Sequence, residues 1–483
     1  MPFEDGRDAI VDKLLIRGLG VGLMKKFRYA ALASLALLLG AQMASAENLT
    51  GALLEAYRQN PTLNAARAGQ RATDETVPQA LSGWRPTVSA SGTAAQTWTN
   101  TYNFGSGTDS SSTPTNENLS IKLNQPLFRG FKTVEGTKAA EAQVKGGQQQ
   151  LLATEQIVLL NGVQAYLDVI RDRRTLQLRQ QNLAVLDDQL KASNARFKAG
   201  ELTKTDVAQS LAGVATAKAA LAGTLAQLRS SEASFEQIIG HKPDRLEPAP
   251  AARPPASLDE AYQIANETNP QILAAAQAVN FAEHNIGVAT AGLLPTADLQ
   301  GLYSFGANQN TAGLLGTSTN DVSTLTLQGV VNVPIYEAGL SYSQVRAAKQ
   351  RASQSRISVI DTARQVRQAV ASSWAGYVSS KQSVSSIGTG VSASVTAYDG
   401  VKQEYQVGSR STIDVLNAEQ TLLTAQISQV ALQHDLIFAS YKLQASIGHL
   451  TGRHLHLGPL YDSAQNYKNV RDKWIGTKAD VLQ

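Results

Sequence analysis

Two acidic residues each follow a hydroxyl-bearing residue by three positions, a spacing that allows hydrogen bonds at the start of a helix. Asp206 follows Thr203 by three residues, and Asp414 follows Ser411 by three residues. A Ser or Thr with an acid three positions later is typical of a helix N-terminus, where the carboxylate accepts backbone N–H groups and meets the positive end of the helix dipole. On the residues alone, this spacing predicts that both acids cap helices.

Motifs for catalysis or cofactor binding do not occur in the sequence. It has no nucleophile elbow, HExxH or Walker sequence, and Gly18 to Gly22 does not follow a strand as a nucleotide-binding loop must. The histidines are scattered apart from the neighbours His454 and His456, so no metal site is expected. With no cysteine, the chain cannot carry disulfides, thiolate metal sites or a lipid anchor on an N-terminal cysteine. We therefore expect no enzyme and no cofactor.

The numbers of basic and acidic residues are nearly equal, which argues against some classes of binding partner. The 483-residue chain has 43 Lys and Arg against 39 Asp and Glu, a net charge of +4. This small excess gives no basis for nucleic-acid binding, which needs a concentrated basic face. Hydrophobic residues make up 43% of the chain, which is enough for packed structure.

The N-terminal region has the three parts of a secretory signal peptide. Met24 to Arg28 is positively charged, Tyr29 to Ala41 is apolar, and Ala44 to Ala46 is a cleavage site of small residues. The apolar run is shorter than the roughly 20 residues of a membrane-spanning helix. We therefore expect residues 24–46 to be removed on export. Because signal peptides begin near the initiator Met, residues 1–23 are expected to be an extension upstream of the true start.

The sequence after the signal peptide consists of two similar halves. Asn60-Pro61 recurs as Asn269-Pro270, and Phe197 to Gly200 recurs as Tyr405 to Gly408, at almost the same separation. The unit is far longer than the roughly 20–50 residues of solenoid repeats, so each copy is half a molecule. The predicted units are two repeats and a C-terminal tail, at residues 47–256, 257–450 and 451–483.

Each repeat has three helical stretches: an opening stretch, a long stretch without proline that ends at a glycine, and a return stretch. As a single helix, each long stretch would measure roughly 100 Å. The opening and return stretches together match the long one, so we expect them to stack end to end beside it in an antiparallel layer. The stretches are predicted at residues 49–82, 131–199 and 203–240, and at 258–292, 340–407 and 411–448.

The return stretches carry apolar residues with the alternating spacing of four and three that is typical of coiled coils. This seam supports packing of the long helices against one another. In the first return stretch the seam comprises Val207, Leu211, Val214, Leu221, Leu225, Leu228, Phe235 and Ile239.

Alternation of apolar and polar residues predicts one β-hairpin in each repeat, at about residues 87–125 and 296–334. In the second hairpin Leu299, Tyr303 and Phe305 share one face, and polar residues occupy the other. Linkers rich in turn-forming residues are predicted to separate the strands, at residues 105–116 and 306–321. The fold class is therefore mainly α with a small β part.

Four strands are too few to form a membrane barrel alone. No segment after the signal peptide looks apolar enough for a membrane helix, so the chain could enter a membrane only as a closed barrel. Membrane barrels begin at about eight strands, and a free sheet edge cannot face lipid. Several chains must then share one barrel, and the residues alone leave two or three chains open.

The doubled pattern resembles the TolC family of outer-membrane efflux and secretion channels. The shared marks are the two Asn-Pro pairs, Arg-Pro-Thr or Leu-Pro-Thr before the strands, Pro-Ile-Tyr-x-x-Gly after them, and above all the sequence of Tyr405 to Ala418. The resemblance implies a homotrimer with a twelve-stranded β-barrel in outer-membrane lipid and an α-helical barrel in the periplasm. It also implies two partners, a periplasmic adaptor and an inner-membrane transporter of the RND or ABC type.

The same resemblance implies a gate where the long helices end. Family members close this end when an Arg and a Tyr of the second turn hold an Asp of the first, and the matching residues are Arg410, Tyr405 and Asp206. Rings of acids narrow the channel beside the gate. Asp414 matches the first ring, whereas Asn417 replaces the acid of the second, which implies weaker cation selectivity.

An alternative function remains open at this point. An exported coiled-coil protein with a structural or adhesive role could carry the same helices, with its hairpins as ordinary soluble ones. Such a protein would be soluble without detergent. The exported cargo, by multidrug efflux or by type I protein secretion, is not specified, because the inner-membrane partner mainly chooses it.

Overall fold

The structure is a computed structural model that describes residues 46–311 and 317–478. The expected N-terminal extension and signal peptide lie outside the described residues, apart from Ala46. The described chain is mainly helical with a small antiparallel sheet, which confirms the predicted fold class.

Helices appear in the same order in both halves of the described chain. The first half contains α1 (Leu49–Gln59), α2 (Pro61–Asp74), α3 (Thr76–Leu81), α4 (Lys132–Lys198) and α5 (Lys204–Ile239). The second half contains α6 (Leu258–Thr268), α7 (Pro270–Thr290), α8 (Leu340–Gln406) and α9 (Thr412–Ile447). A short helix in the C-terminal segment, α10 (Ser463–Val470), follows them.

The opening stretches are broken, so the prediction of one continuous helix in each is wrong. Asn60 accepts a hydrogen bond from the backbone of Thr62 at 2.9 Å and so caps α2, and Asn269 caps α7 in the same way. The proline after each asparagine occupies the first helical turn. A proline fits there because its missing N–H would have no partner, whereas inside one long helix it would break a hydrogen bond.

The long helices agree with the prediction. Both α4 and α8 contain 67 residues, which corresponds to roughly 100 Å. The residues that follow their last turns, Gly200 and Gly408, have φ values of +82° and +81°. Glycine adopts this left-handed conformation at little cost, so it ends the helix and lets the chain reverse.

The helices of the first half form a layer along α4. Helix α5 packs beside one part of α4 and the opening helices pack beside the other, as expected from their lengths. Buried Leu53, Leu159 and Phe235 bring α1, α4 and α5 together in the main hydrophobic core. The hydroxyl of buried Tyr166 lies 2.7 Å from the carbonyl oxygens of Glu47 and Glu247, which ties both connecting segments to the middle of α4.

The four-stranded sheet joins the two halves. Its antiparallel order is β1-β4-β5-β6, and a β2-β3 pair forms a separate two-stranded sheet in the first hairpin. Among the described residues, β1 pairs with β4 alone and β6 pairs with β5 alone, so both outer edges are one-sided. The strands are β1 (Thr87–Gln96), β2 (Thr99–Asn103), β3 (Thr108–Ser112), β4 (Thr115–Arg129), β5 (Thr296–Thr311) and β6 (Thr317–Asn332).

The strand register produces one continuous apolar face. Ile121 of β4 is opposite Tyr303 of β5, and Tyr303 is opposite Leu325 of β6. On β1, Val88 is opposite Leu123 of β4. All of these side chains except Tyr303 are aliphatic, and all are exposed in the single chain. The predicted separation of apolar and polar faces is therefore confirmed, and it extends across all four strands.

The strands continue into the segments that were expected to be linkers. Most of residues 105–116 belongs to β3 and the start of β4, and residues 306–311 and 317–321 extend β5 and β6. Polar residues can form strand hydrogen bonds through their backbone wherever the other strand continues. The prediction of linkers relied on the polar composition alone, and so it was wrong. Strand β4 also passes Pro126, where a bulge between Pro126 and Phe128 accommodates the missing N–H.

The seam of α5 is only partly covered by its own chain. Val214, Phe235 and Ile239 are buried, but Leu211 is 57% exposed and Leu225 is also exposed. By length and composition, α5 is the described helix that could cross a membrane. This apolar length was not expected from the sequence. Helix α5 packs along α4, which covers part of its apolar surface.

A partly buried histidine links the two halves near the middle of the helices. His434 of α9 places Nε2 at 3.0 Å from Asp168 of α4 and Nδ1 at 2.9 Å from Asp435. Arg171 and Asp172 of α4 complete the cluster through their own ion pairs. Burial lowers the pKa of His434, but hydrogen bonds to Asp168 and Asp435 raise it further, which leaves the pKa above its usual value.

The raised pKa of His434 predicts a pH-dependent stability. The protonated ring can donate from both nitrogens, so its stabilisation is present below the unfolded pKa of about 6.5 and is lost as pH rises through the folded pKa. We expect the unfolding temperature to fall between about pH 6 and pH 9 more in the wild type than in His434→Gln. Circular dichroism melts would measure this, with His456→Gln at an exposed site as control. Parallel pH curves for wild type and His434→Gln would contradict the prediction.

Candidate functional site at the tips of the long helices

The candidate gate residues lie on the two turns at the ends of α4 and α8. Each long helix begins shortly after a strand, at Lys132 or Leu340, and runs away from the sheet. At about 1.5 Å per residue, the turns after Gly200 and Gly408 are roughly 100 Å from the sheet. The sheet and these turns are therefore at opposite ends of the chain.

Asp206 caps α5, as its spacing predicted. Its Oδ2 accepts hydrogen bonds from the backbone N–H of Thr203 at 3.0 Å and from the Thr203 hydroxyl at 2.6 Å. The backbone N–H of Asp206 donates back to that hydroxyl at 3.3 Å, which completes a capping box. Hydrogen bonds from Thr203 hold the pKa of the Asp206 carboxyl below its usual range, so the side chain is charged at neutral pH.

Asp414 has the equivalent position at the start of α9. Its Oδ2 accepts from the backbone N–H of Ser411 at 3.0 Å and from the Ser411 hydroxyl at 2.7 Å. These bonds hold the pKa of the Asp414 carboxyl below its usual range. Asn417 lies one turn further along α9 with an exposed side chain. Residues three apart share a helix face, so Asp414 and Asn417 point to the same side.

Arg410 forms an ion pair inside its own turn. Its Nε donates to Glu404 at 2.8 Å, and both side chains are about half exposed. Exposed pairs of this kind contribute little to stability, because water screens the two charges. The Arg410 guanidinium can therefore exchange this partner for another at small cost.

Tyr405 is buried within its own chain. Its side chain is only 8% exposed, because the guanidinium carbon of Arg196 lies 5.1 Å from the ring centroid. Thr412 donates a long hydrogen bond of 3.5 Å to the Tyr405 hydroxyl. Arg196 comes from the end of α4 and also donates to Glu201 at 3.1 Å. Tyr405 therefore fastens the second turn to the first within one chain.

The three predicted gate residues lie on the two turns but are not hydrogen-bonded to one another in the described chain. The side chain of Asp206 is hydrogen-bonded to Thr203, and the side chain of Arg410 is hydrogen-bonded to Glu404. Asp206 Oδ1 and the terminal nitrogens of Arg410 have no hydrogen bond among the described residues. One carboxylate oxygen of Asp206 and two guanidinium nitrogens of Arg410 are therefore available to a partner outside the chain.

Arg196 and Glu404 were missed by sequence reasoning. Glu404 stands beside Tyr405, and Arg196 stands just before Phe197, so both fall within or next to the matched segments of the two repeats. The position of Arg196 and Glu404 beside these matched segments could therefore have marked both residues as candidates. The contact of Arg196 with Tyr405 joins residues more than 200 positions apart, and no local pattern shows it.

A second set of contacts holds the two helix pairs together behind the turns. Buried Asn182 of α4 donates to Glu419 of α9 at 3.0 Å. Nearby, Leu416 of α9 packs against the small core of Leu186 and Val214. The two turns are thus carried on helices that contact one another.

Comparison with known proteins gives a consistent result. The model of the outer membrane efflux protein family matches residues 52–241 and 261–449. The outer membrane efflux protein BepC of Brucella suis biovar 1 (strain 1330) is 40% identical over 440 residues, which cover 90% of this chain and 93% of that protein. The outer membrane protein TolC of Escherichia coli (strain K12) is 26% identical over 434 residues, covering 86% and 84%.

A solved structure shares the fold. The CmeC outer membrane channel of Campylobacter jejuni superposes with a TM-score of 0.73 at 16% sequence identity, covering 88% of this chain and 89% of that one. The TolC-family resemblance is therefore confirmed, and the alternative of a pore-less structural or adhesive protein receives no support. The chain belongs to the outer membrane efflux protein family, and it is an outer-membrane channel that extends into the periplasm.

Proposed function

We propose that three copies of this chain form one passive export duct. The observation that carries this proposal is the sheet, which has an exposed apolar face and two one-sided edges among the described strands. In lipid, every unpaired backbone group costs several kcal/mol, so β6 of one chain must pair with β1 of the next. Three four-stranded sheets close a barrel of twelve strands, an even number within the range known for outer-membrane barrels.

The helices support the same assembly. Two residues of the α5 seam, Leu211 and Leu225, remain exposed in the single chain although they have coiled-coil spacing. A neighbouring copy would cover them and continue the helical layer into a tunnel. The repeated order of helices and strands also supports the proposed division into repeats at 47–256 and 257–450 and a tail at 451–483.

We further propose that the duct exports small molecules together with a periplasmic adaptor and an inner-membrane transporter. The sequence has no nucleotide-binding loop, so the energy for transport must come from another protein. The family and the relative BepC are both named for efflux, which favours export of small molecules, and the transporter is of the RND or ABC type. An ABC-type transporter and protein secretion form the second candidate, which crosslinking in cells followed by identification of the bound transporter would distinguish.

The orientation of the sheet yields a direct test of the duct. Leu325 lies on the apolar face, and its neighbour Thr324 lies on the polar one. We expect purified wild-type trimers to conduct ions in planar bilayers, and Leu325→Lys to reduce insertion strongly, because a lipid-facing Lys costs about 2–4 kcal/mol at mid-bilayer. Thr324→Lys is the matched control and should still insert. A wild-type monomer that is soluble without detergent and does not conduct would contradict the duct.

We propose that Asp206, Tyr405 and Arg410 close the periplasmic end of the duct. The uncommitted oxygen of Asp206 and the spare donors of Arg410 support contacts between neighbouring copies, and Tyr405 holds the two turns in register. Charge-assisted hydrogen bonds contribute about 1.5–3 kcal/mol each. An adaptor that binds the open state more tightly can offset contacts of this size.

Removing the proposed gate contacts should open the channel. We expect Arg410→Ser to raise single-channel conductance in planar bilayers, and Tyr405→Phe to raise it less because the ring under Arg196 remains. Arg356→Ser is the matched control, since Arg356 of α8 pairs with Glu283 at 2.7 Å near the sheet end of the helix. If both tip variants conduct like the wild type, Asp206, Tyr405 and Arg410 do not form the gate.

We propose that Asp414 forms the single acidic ring at the constriction, with Asn417 beside it. The lowered pKa of Asp414 keeps this ring charged at neutral pH, and Asn417 adds no charge on the same face of α9. The field that attracts cations is therefore weaker than two acidic rings would produce.

Adding the second acid should strengthen cation binding in the channel. We expect Asn417→Asp to increase block by multivalent cations, measured as a lower half-blocking concentration in single-channel recordings. Asn280→Asp adds the same charge on exposed α7 near the sheet end and should leave the block unchanged. Equal block in the wild type and Asn417→Asp would place the constriction elsewhere.

A further inference from the structure

The C-terminal segment 451–478 follows the first repeat toward the sheet. The backbone N–H of Gly452 donates to Glu155 of α4 at 2.7 Å, and Arg471 donates to Glu141 of α4 at 3.2 Å. Between them, Asn466 donates to Asp74 of α2 at 2.8 Å. Because α4 starts beside the sheet, this succession of partners shows that the segment runs from the middle of the helices to their sheet end.

Near its end, the segment contacts Arg85, which lies two residues before β1. Arg85 donates from a guanidinium nitrogen to the carbonyl oxygen of Lys473 at 2.9 Å. The guanidinium carbon of Arg85 also lies 4.8 Å from the centre of the Trp474 ring. Pro86 separates Arg85 from Thr87, where β1 begins. Trp474 is therefore held at the base of the sheet.

The apolar face of the sheet starts at this level. Val88, the second residue of β1, is 70% exposed and lies opposite Leu123. At the other edge, exposed Val331 is the last apolar residue of β6 and lies opposite Ala297, the second residue of β5. The lower boundary of the lipid-facing band is thus only a few residues above Arg85 and Trp474.

The side chains at the end of the segment have the chemistry of a membrane interface. Trp474 is 66% exposed and Ile475 is 90% exposed, so a large apolar pair faces outward without cover from the described chain. Lys473 and Lys478 lie on either side of the pair in the sequence, and within residues 471–478 the one acid is Asp472. Tryptophan prefers the headgroup region of a bilayer, and nearby cations bind lipid phosphates at about 1 kcal/mol each.

We propose that residues 471–478 form an interfacial anchor in the periplasmic leaflet of the outer membrane. Trp474 and Ile475 insert at the headgroup level, and the neighbouring cations meet lipid phosphates. A scattered apolar residue on a surface needs no such explanation. Here, two apolar side chains are exposed side by side, and Arg85 holds the first of them, Trp474, at the level where the membrane band starts. The anchor would attach the helical part of the chain to lipid. The described chain has no cysteine through which a lipid could be attached covalently.

The cysteine-free sequence allows a clean labelling experiment on the full-length trimer. Ile475→Cys would carry an environment-sensitive NBD fluorophore in vesicles of phosphatidylethanolamine and phosphatidylglycerol. Gln465→Cys, exposed on α10 further from the sheet, is the matched control. We expect blue-shifted emission at position 475, with strong quenching by lipids that carry a nitroxide near the headgroup, and water-like, unquenched emission at position 465.

Two results would overturn the anchor. Water-like emission at position 475 would show that the pair stays in solvent. Blue-shifted emission that lipid nitroxides do not quench would show that a neighbouring copy of the chain covers it instead. Adding Trp474→Ser to the labelled variant supplies a further check, because an inserted anchor should lose quenching at position 475 while trimer formation is unchanged.

Discussion

A four-stranded sheet with one apolar face and two one-sided edges cannot rest in lipid by itself, and the rest of this structure follows from that constraint. Its apolar side chains, such as Ile121 and Leu325, are exposed in the single chain. They are stable only against lipid, where water cannot satisfy the edge N–H and C=O groups of β1 and β6. The sheet must therefore be completed by other copies. In the proposed assembly, the membrane part is therefore complete only when the copies have come together.

The helices form an elongated layer that extends from the sheet, and they are not arranged around one globular core. Each 67-residue helix is paired along its length by a 36-residue return helix and by shorter opening helices. The join between those partners coincides with the main core, where Leu53, Leu159 and Phe235 meet. The connecting segments and the C-terminal segment also pack at this level, through Tyr166 and Gly452. Stability is therefore concentrated at the middle of the long helices.

Contacts toward the tips are local and partly exposed, which suits the proposed gate. Asp206 and Asp414 are held by local hydrogen bonds to Thr203 and Ser411, and Arg410 is held by an exposed ion pair. Each of these interactions lies within one turn and needs no partner chain to form. The turns are consequently preformed, while donors and acceptors that remain unused can bind a neighbour. A gate made from such contacts can open without unfolding the helices that carry it.

The sequence by itself determined the duplication, the two long helices, the capping by Asp206 and Asp414, and the apolar face of each hairpin. These features depend on residues close together in the chain, through helix periodicity, strand alternation and the preferences of glycine and proline. The breaks at Asn60 and Asn269 were also local, but helical periodicity on both sides concealed them. Only the tertiary structure decided how far the strands continue, because polar residues pair wherever a partner strand extends. It also decided that Arg196 covers Tyr405 and that Arg85 holds Trp474, since each contact joins residues hundreds of positions apart that no local pattern relates.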